Sequence, residues 1–238
     1  AIWQTEEHPS EARTVAADNK LDAVECIRAR AEALQLDTRV DVIVSVFTGN
    51  FLLSEDLLPS LFYARDHYLA PGGRLLPDCG RMEVVPVTAP AYYDKHVASW
   101  GEFPRVCTEQ GLPELDYSAV QAYAANYMLY DSAKHMQAQR LAEPTHVSEL
   151  DFNTATKAAC DSQVEVLIQH DGICHGWMGW FQMRLMDEWL STDGESCNTH
   201  WSQVFMPLAQ PLAVVRGDRL GFTLQRPERG EWTWTTRL

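Results

Sequence analysis

The residues best placed to do chemistry sit in Asp41-Val-Ile-Val-Ser-Val46-Phe-Thr-Gly-Asn-Phe-Leu-Leu-Ser-Glu55. The stretch reads as a buried strand, a glycine-containing loop and a helix start that carries one carboxylate. Glu55 can hold a cation there, or it can serve as a first-turn acid that favours the helix dipole. Glu32 is a second acid, in a segment that also reads as an exposed loop. His170 and His175 flank Cys174 without a recognised metal spacing, so no metal is expected. Trp177 and Trp180 lie in one strand candidate and Trp232 and Trp234 in another, and all four are expected in sheet surface or core rather than in a ligand cage.

The elements that must position these residues fall into two regimes. In the first third, helix and strand signals alternate. Pro9 opens a short helix that Asn19 stops, and Val24 to Ile27 is a short strand. Val40 to Val44 is a β-branched run of the kind buried on both faces of a parallel sheet. Ser54 is placed to cap a helix whose apolar positions Leu57, Leu58, Leu61, Phe62 and Tyr68 recur at helical spacing, with Pro59 tolerated near its start. That helix ends at Ala70-Pro-Gly-Gly73, and Arg74-Leu-Leu begins the next strand. The rhythm is half of a doubly wound α/β sheet.

From Asp78 the pattern becomes β. Strands are expected over Arg81 to Val87, Gln163 to Gln169, Cys174 to Met186, Ser202 to Met206, Leu212 to Val215, Leu220 to Gln225 and Glu231 to Thr236. Ala91 to about Ala142, rich in Tyr, Ala and Gln, is irregular to helical. A domain boundary is placed near Pro77–Asp78, giving domains over 1–77 and 78–238.

Composition narrows the function classes. The 238 residues are 46% hydrophobic and 22% charged, close to the globular average. A net charge of -14 argues against non-specific binding to nucleic acid or to an anionic membrane, and it would steer basic partners. The six cysteines have no C-x-x-C spacing, which suits a reducing compartment. No apolar run approaches the roughly 20 residues of a membrane span, and the first residues do not read as a signal peptide. Cytosol is the expected compartment, with the nucleus as the alternative.

Three separated segments together resemble the protein arginine methyltransferase family. The first runs from Asp41 to Asp78, including Tyr63-Ala-Arg-Asp and Leu75-Leu-Pro-Asp78. The second is Asn198-Thr-His-Trp201, similar to the family's Thr-His-Trp loop and preceded by Leu190-Ser-Thr. The third is Val164 to Trp180 with Leu212 to Phe222, where the family has barrel strands. The resemblance implies the C-terminal part of a Rossmann-like methyltransferase domain, then a β-barrel domain with an inserted helical dimerisation arm at about 100–127. It implies S-adenosylmethionine as cofactor, a homo- or hetero-dimer or oligomer with a paralogue, and arginine-rich protein substrates.

The resemblance also locates departures. The family's loop reads Ser-Glu-x-Met-Gly with a second glutamate after it. Glu55 matches the second glutamate, but Val46 replaces the first and Thr48 the methionine. Arginine is a poor nucleophile because its guanidinium is protonated and delocalised. Paired glutamates grip it bidentately and draw charge toward one edge, leaving another nitrogen better able to attack a sulfonium methyl. With Val46, one edge faces an apolar side chain. On the cofactor side, Ala31-Glu32 matches the place where the family contacts adenine, and Trp3 stands where an acid should hold the ribose hydroxyls. The family's glycine-rich turn lies outside this sequence. His200 matches a histidine that abuts the family's active site and is expected to act at the domain junction here, while Trp201 is expected to pack.

Three functions are compatible with this pattern. The first is a catalytically impaired homologue acting as a regulatory, prozyme-like subunit of an active paralogue. The second is a working methyltransferase seen without its N-terminal part, with Glu55 as the remaining acid. The third is a binding module that holds a peptide in the barrel groove.

Overall fold

A computed structural model describes residues 2–5, 9–113, 115–194 and 199–238, with the side chains of residues 2–5, 9 and 118 left out of the description. Strand β1 (Ile2–Thr5), helix α1 (Pro9–Asp18) and strand β2 (Glu25–Arg28) come first, and β1 pairs in parallel with β2. Strand β3 (Val40–Val44), helix α2 (Leu58–Tyr68) and strand β4 (Leu69–Leu76) repeat the pattern, with β3 parallel to β4. Each parallel pair is bridged by its helix, which is the connection a parallel pair requires. Strand β4 starts at Leu69, earlier than the glycines suggested.

One expectation is overturned here. The β-branched run of β3 is not buried on both faces: Val42 is 47% and Val44 75% exposed. Among the described residues β3 pairs with β4 alone, so two strands and one helix leave much of its surface uncovered.

The rest of the chain is antiparallel. Strand β5 (Cys79–Thr88) leads into a helical excursion made of α3 (Pro90–Tyr93), a π turn (Asp94–Ala98), α4 (Ser99–Glu109) and α5 (Ser118–Ala124). Strand β6 (Leu129–Asp131), the short helix α6 (Ala133–Met136) and strands β7 (Gln139–Arg140) and β8 (Thr145–Asp151) return the chain to the barrel. There follow β9 (Cys160–Leu167), β10 (Gly172–Leu185), β11 (Glu188–Ser191), β12 (Gln203–Val214), β13 (Arg219–Arg226) and β14 (Thr233–Arg237). The main sheet runs β6-β12-β10-β5-β7, with β11 on β10 and β8 on β5, and a second sheet runs β14-β13-β9.

The two strands expected at Ser202 to Met206 and Leu212 to Val215 are one strand, β12. Pro207 lies within it, opposite Gly176 and beside a register shift in β10, a place where a missing N–H is tolerated.

Alternation sets the core. Leu220, Phe222 and Leu224 of β13 are buried to 1% or less, and the Phe222 ring stacks on Trp177 at 4.3 Å. Trp177 belongs to this inner core, while Trp180 of the same strand lies on the other face, with Tyr92, Tyr93 and Val97 of the helical excursion. Into the inner core the α/β part inserts Phe51, Leu52 and Leu53, each 1% exposed or less. Gly179 makes the room: a Cβ there would lie 2.8 Å from the Phe51 ring. The loop that carries the candidate chemistry is thus anchored in the barrel by its own apolar residues.

Candidate functional site

The loop from Ser45 to Asp56 is held at several points along its length. Thr48 is buried, and its carbonyl accepts the Trp201 indole N–H at 2.9 Å. Trp201 also packs edge-on against Phe181 at 5.4 Å. Asn50 accepts the Ser202 backbone N–H at 2.8 Å, while its own backbone and side-chain nitrogens both donate to Glu55 Oε1 at 3.3 Å. The Asp41–Asp78 and Thr-His-Trp segments, far apart in sequence, therefore meet, and Asn50 joins them. Gly49 is required by close approach, since a Cβ there would fall 1.7 Å from the Ser54 carbonyl oxygen.

The local backbone is unusual. Phe51, Leu52, Glu55 and Asp56 adopt φ of 50°, 63°, 72° and 53°, a region that costs a side-chain-bearing residue about 1–3 kcal/mol. Burial of Phe51-Leu52-Leu53 is the compensating gain. Helix α2 starts only at Leu58, with Leu57 as a cap that makes no side-chain bond. Ser54 therefore does not cap it. Its hydroxyl lies 3.0 Å from the Tyr130 hydroxyl and accepts the Trp232 indole N–H at 3.2 Å. Glu55 likewise is not in the first turn of α2; it sits, exposed, in a separate 3-10 turn over Ser54–Asp56.

Val46, at the other end of the loop, is 66% exposed. His200 is exposed, its ring tilted against that of Trp201 with centroids 4.1 Å apart, and it forms no hydrogen bond with Glu55 among the described residues. The structure thus joins Trp201 and Ser202 to the loop that carries Glu55 without placing the His200 imidazole on the carboxylate.

The sequence reading missed four contributors: Asn50, Asp56, Tyr130 and Arg226. Arg226 ends β13 at 4% exposure and donates from Nη2 to Asp56 Oδ1 at 2.8 Å. Its guanidinium lies 5.7 Å from the Trp232 ring centroid. The alternation Leu220, Phe222, Leu224 carried on to 226 was the available signal, because it points Arg226 inward. The Tyr130 hydroxyl is pushed up from its usual range by burial, with the Ser54 bond and the Arg226 charge opposing and Glu55 adding to the rise.

The residues matched to the cofactor lie apart from this loop. Ala31 is buried in a 3-10 turn (Ala31–Ala33), with the Tyr68 hydroxyl donating to its carbonyl at 2.8 Å. Glu32 is exposed and accepts a hydrogen bond from Ser60 Oγ of α2. That bond is the main reason its carboxyl is held below the usual range, with burial opposing. Trp3 lies in β1 opposite Cys26, and its side chain is outside the described residues. An adenosyl group at this place would share the Glu32 carboxylate with Ser60 and the Ala31 carbonyl with Tyr68.

Comparison with known proteins agrees with this geometry. The family model described as the arginine methyltransferase oligomerization subdomain matches residues 78–232. Protein arginine N-methyltransferase 2 of Xenopus tropicalis is 29% identical over 232 residues, which is 92% of this chain and 52% of that protein. Protein arginine N-methyltransferase 1 of Schizosaccharomyces pombe is 28% identical over 224 residues, covering 89% of this chain and 62% of that one. The chain thus spans about half the length of the Xenopus relative. Among solved structures, the Trypanosoma brucei PRMT1 enzyme-prozyme heterotetrameric complex with AdoHcy superposes with a TM-score of 0.83 at 25% identity, covering 94% of this chain and 70% of that one. Protein arginine methyltransferase 10 of Arabidopsis thaliana shares the fold at a TM-score of 0.75 and 24% identity, covering 94% and 72%. A Rossmann-like part joined to a β-barrel, the paired loop segments and these matches together place the chain in the protein arginine methyltransferase family.

Proposed function

We propose that this chain is a catalytically impaired arginine methyltransferase homologue that acts as a regulatory, prozyme-like subunit of an active paralogue. The observation that carries the reading is Val46. The loop keeps its frame, through the bonds of Thr48, Asn50 and Ser54 to the barrel, yet one jaw of the carboxylate pincer is an exposed valine. A guanidinium seated there would meet Glu55 on one side only, and a charge left unpaired in a closed site costs several kcal/mol. The retained frame is what a subunit needs to pair with a relative, while the pincer is what turnover needs.

The partner reading rests on the helical excursion at about 100–127. Phe103, Val106, Leu112, Tyr123 and Tyr127 are 36–68% exposed on it, more apolar surface than a short solvated arm requires. The Trypanosoma brucei neighbour is an enzyme-prozyme heterotetramer, which is the arrangement proposed for this chain. The net charge of -14 would draw arginine-rich substrates to such an assembly. Residues 1–77 would form the partial methyltransferase domain and 78–238 the barrel domain, in whichever compartment, cytoplasm or nucleus, the paralogue occupies.

The first test is calorimetry of adenosylmethionine and adenosylhomocysteine on this chain alone, followed by capture of a paralogue. Absence of heat together with a stable heteromer is the expected result. Micromolar binding, or methyl transfer to an arginine peptide by the chain alone, would overturn the proposal and favour the active-enzyme reading.

A further inference from the structure

The most unusual charged group in the molecule is Arg226. It is 4% exposed, its Nη2 is paired with Asp56, and its Nη1 is buried without a partner among the described residues. Taking a guanidinium out of water for a single ion pair is unfavourable on balance unless every donor is satisfied. The pairing is also asymmetric, since Asp56 is 37% exposed while the Arg226 side chain is 5% exposed. Stability alone therefore does not account for this arginine. Its position does offer an account, because Asp56 follows Glu55 directly and both belong to the turn Ser54–Asp56.

We infer that Arg226 is a built-in occupant of the loop: the chain's own guanidinium neutralises Asp56, the acid next to Glu55, from the barrel side and so disfavours binding of an external guanidinium there. This deepens the proposed function and rests on its reading of the loop as the family's substrate loop. The loop presents two carboxylates, Glu55 and Asp56. Glu55 accepts both Asn50 donors, and Asp56 is already engaged by Arg226. The Tyr130 hydroxyl bonds Ser54, the residue before Glu55, at 3.0 Å, so the same turn is held to the barrel on two sides. A second guanidinium seeking the paired acids of this turn would find Asp56 already neutralised by Arg226 and would meet the like charge of Arg226 behind it. Loss of the first loop glutamate and presence of Arg226 then act in the same direction, and restoring the glutamate alone does not restore the site.

The test compares chains carrying Val46→Glu, Val46→Glu with Arg226→Met, and Val46→Glu with Arg226→Lys, titrated with a fluorescent arginine-glycine peptide. Val46→Glu alone is expected to bind the peptide hardly better than the parent. Adding Arg226→Met is expected to tighten binding about tenfold, the scale of one relieved like-charge contact, while Arg226→Lys, which keeps the charge, leaves it at the Val46→Glu level. Equal affinity of the Met and Lys variants would overturn the inference, because packing rather than charge would then be at work. So would full binding by Val46→Glu alone, or no binding by any variant. Should Met fail to fold, Arg226→Gln, which can still bond Asp56 without charge, carries the same expectation and the same refutation. Adenosylmethionine binding and paralogue capture do not read residue 226, so failure here leaves the proposed subunit role intact, and failure there leaves this comparison interpretable.

Discussion

Tyr130 and Asp131 are consecutive residues of β6, and their side chains hold different parts of the protein. The Tyr130 hydroxyl meets Ser54 of the loop at 3.0 Å. The Asp131 carboxylate accepts the Tyr92 hydroxyl of α3 at 3.3 Å and pairs with His135 of α6 at 2.9 Å. Successive side chains of a strand point to opposite sides, so a three-residue strand stands between the loop and the root of the helical arm. It is fixed to the barrel by pairing Asp131 with Gln203 and Leu129 with Phe205 of β12.

Removing the Tyr130 hydroxyl should loosen the loop without disturbing the arm. Tyr130→Phe is expected to cost about 1 kcal/mol, the net worth of one hydrogen bond, and to speed amide exchange in the loop from Asn50 to Asp56. Asp131→Asn should instead raise exchange around α3. Hydrogen–deuterium exchange resolved by peptide would read both, and unchanged loop exchange in Tyr130→Phe would show that Ser54 is held by Trp232 alone.

Arg65 is the strongest polar tie between α2 and the barrel part. Its Nη1 donates to the carbonyls of Phe152 and Ala155, both at 2.7 Å, and its side chain is only 10% exposed. The guanidinium also lies 5.1 Å from the Phe62 ring centroid. Arg65→Ala should destabilise the chain by about 2 kcal/mol, the loss of charge-assisted bonds to two partly buried carbonyls. Arg65→Lys should recover less than half, because an ammonium lacks the planar fork. Urea unfolding would measure it, and full rescue by lysine would show that charge alone suffices.

Two histidines beneath the arm make it acid-sensitive. Burial lowers the His96 pKa below its usual 6.5, with the Lys95 charge adding and Asp131 opposing. Burial also lowers that of His175, against the Ile173 backbone bond and Asp94. Groups whose folded pKa is depressed contribute full stability above the unfolded value, and they lose it as pH falls through the folded one. The melting temperature should therefore decline below about pH 6.5, the ordinary histidine value. His96 Nε2 is buried without a partner and its ring lies 4.4 Å from that of Tyr92. His96→Phe should therefore flatten that decline and raise neutral-pH stability by about 1 kcal/mol. A mutant melting curve with the same acid slope would refute the assignment.

Much of the barrel was legible because its central strands alternate cleanly, as in Leu220, Phe222 and Leu224. The edge strands were not. Thr145–Asp151 of β8 buries Val147 but exposes most of its other side chains in part or whole, and β11 is a four-residue return on β10. Periodicity has little to report on either. At the site, sequence located Glu55 and Trp201 but could not supply their conformation. A glutamate at φ 72° contradicts local propensity, and only the burial of Phe51-Leu52-Leu53 in a core built far along the chain makes it tenable. Ser54 illustrates the same limit: a serine before an apolar helix reads as a cap, whereas tertiary partners from β6 and the Trp232 segment claim its hydroxyl.

The pairing of β5 with β10 has a kinetic meaning. Gly80 lies opposite Met183 and Val87 opposite Gly176, so the whole arm and four further strands separate the two halves of the central ladder. Closing so long a loop costs entropy before any contact rewards it. The β5–β10 ladder is therefore a costly place for refolding to begin. The hairpin-like neighbours β10, β11 and β12 should organise first and recruit β5 afterwards. The loop residues Phe51, Leu52 and Leu53, which need that finished core, would be among the last to find their places.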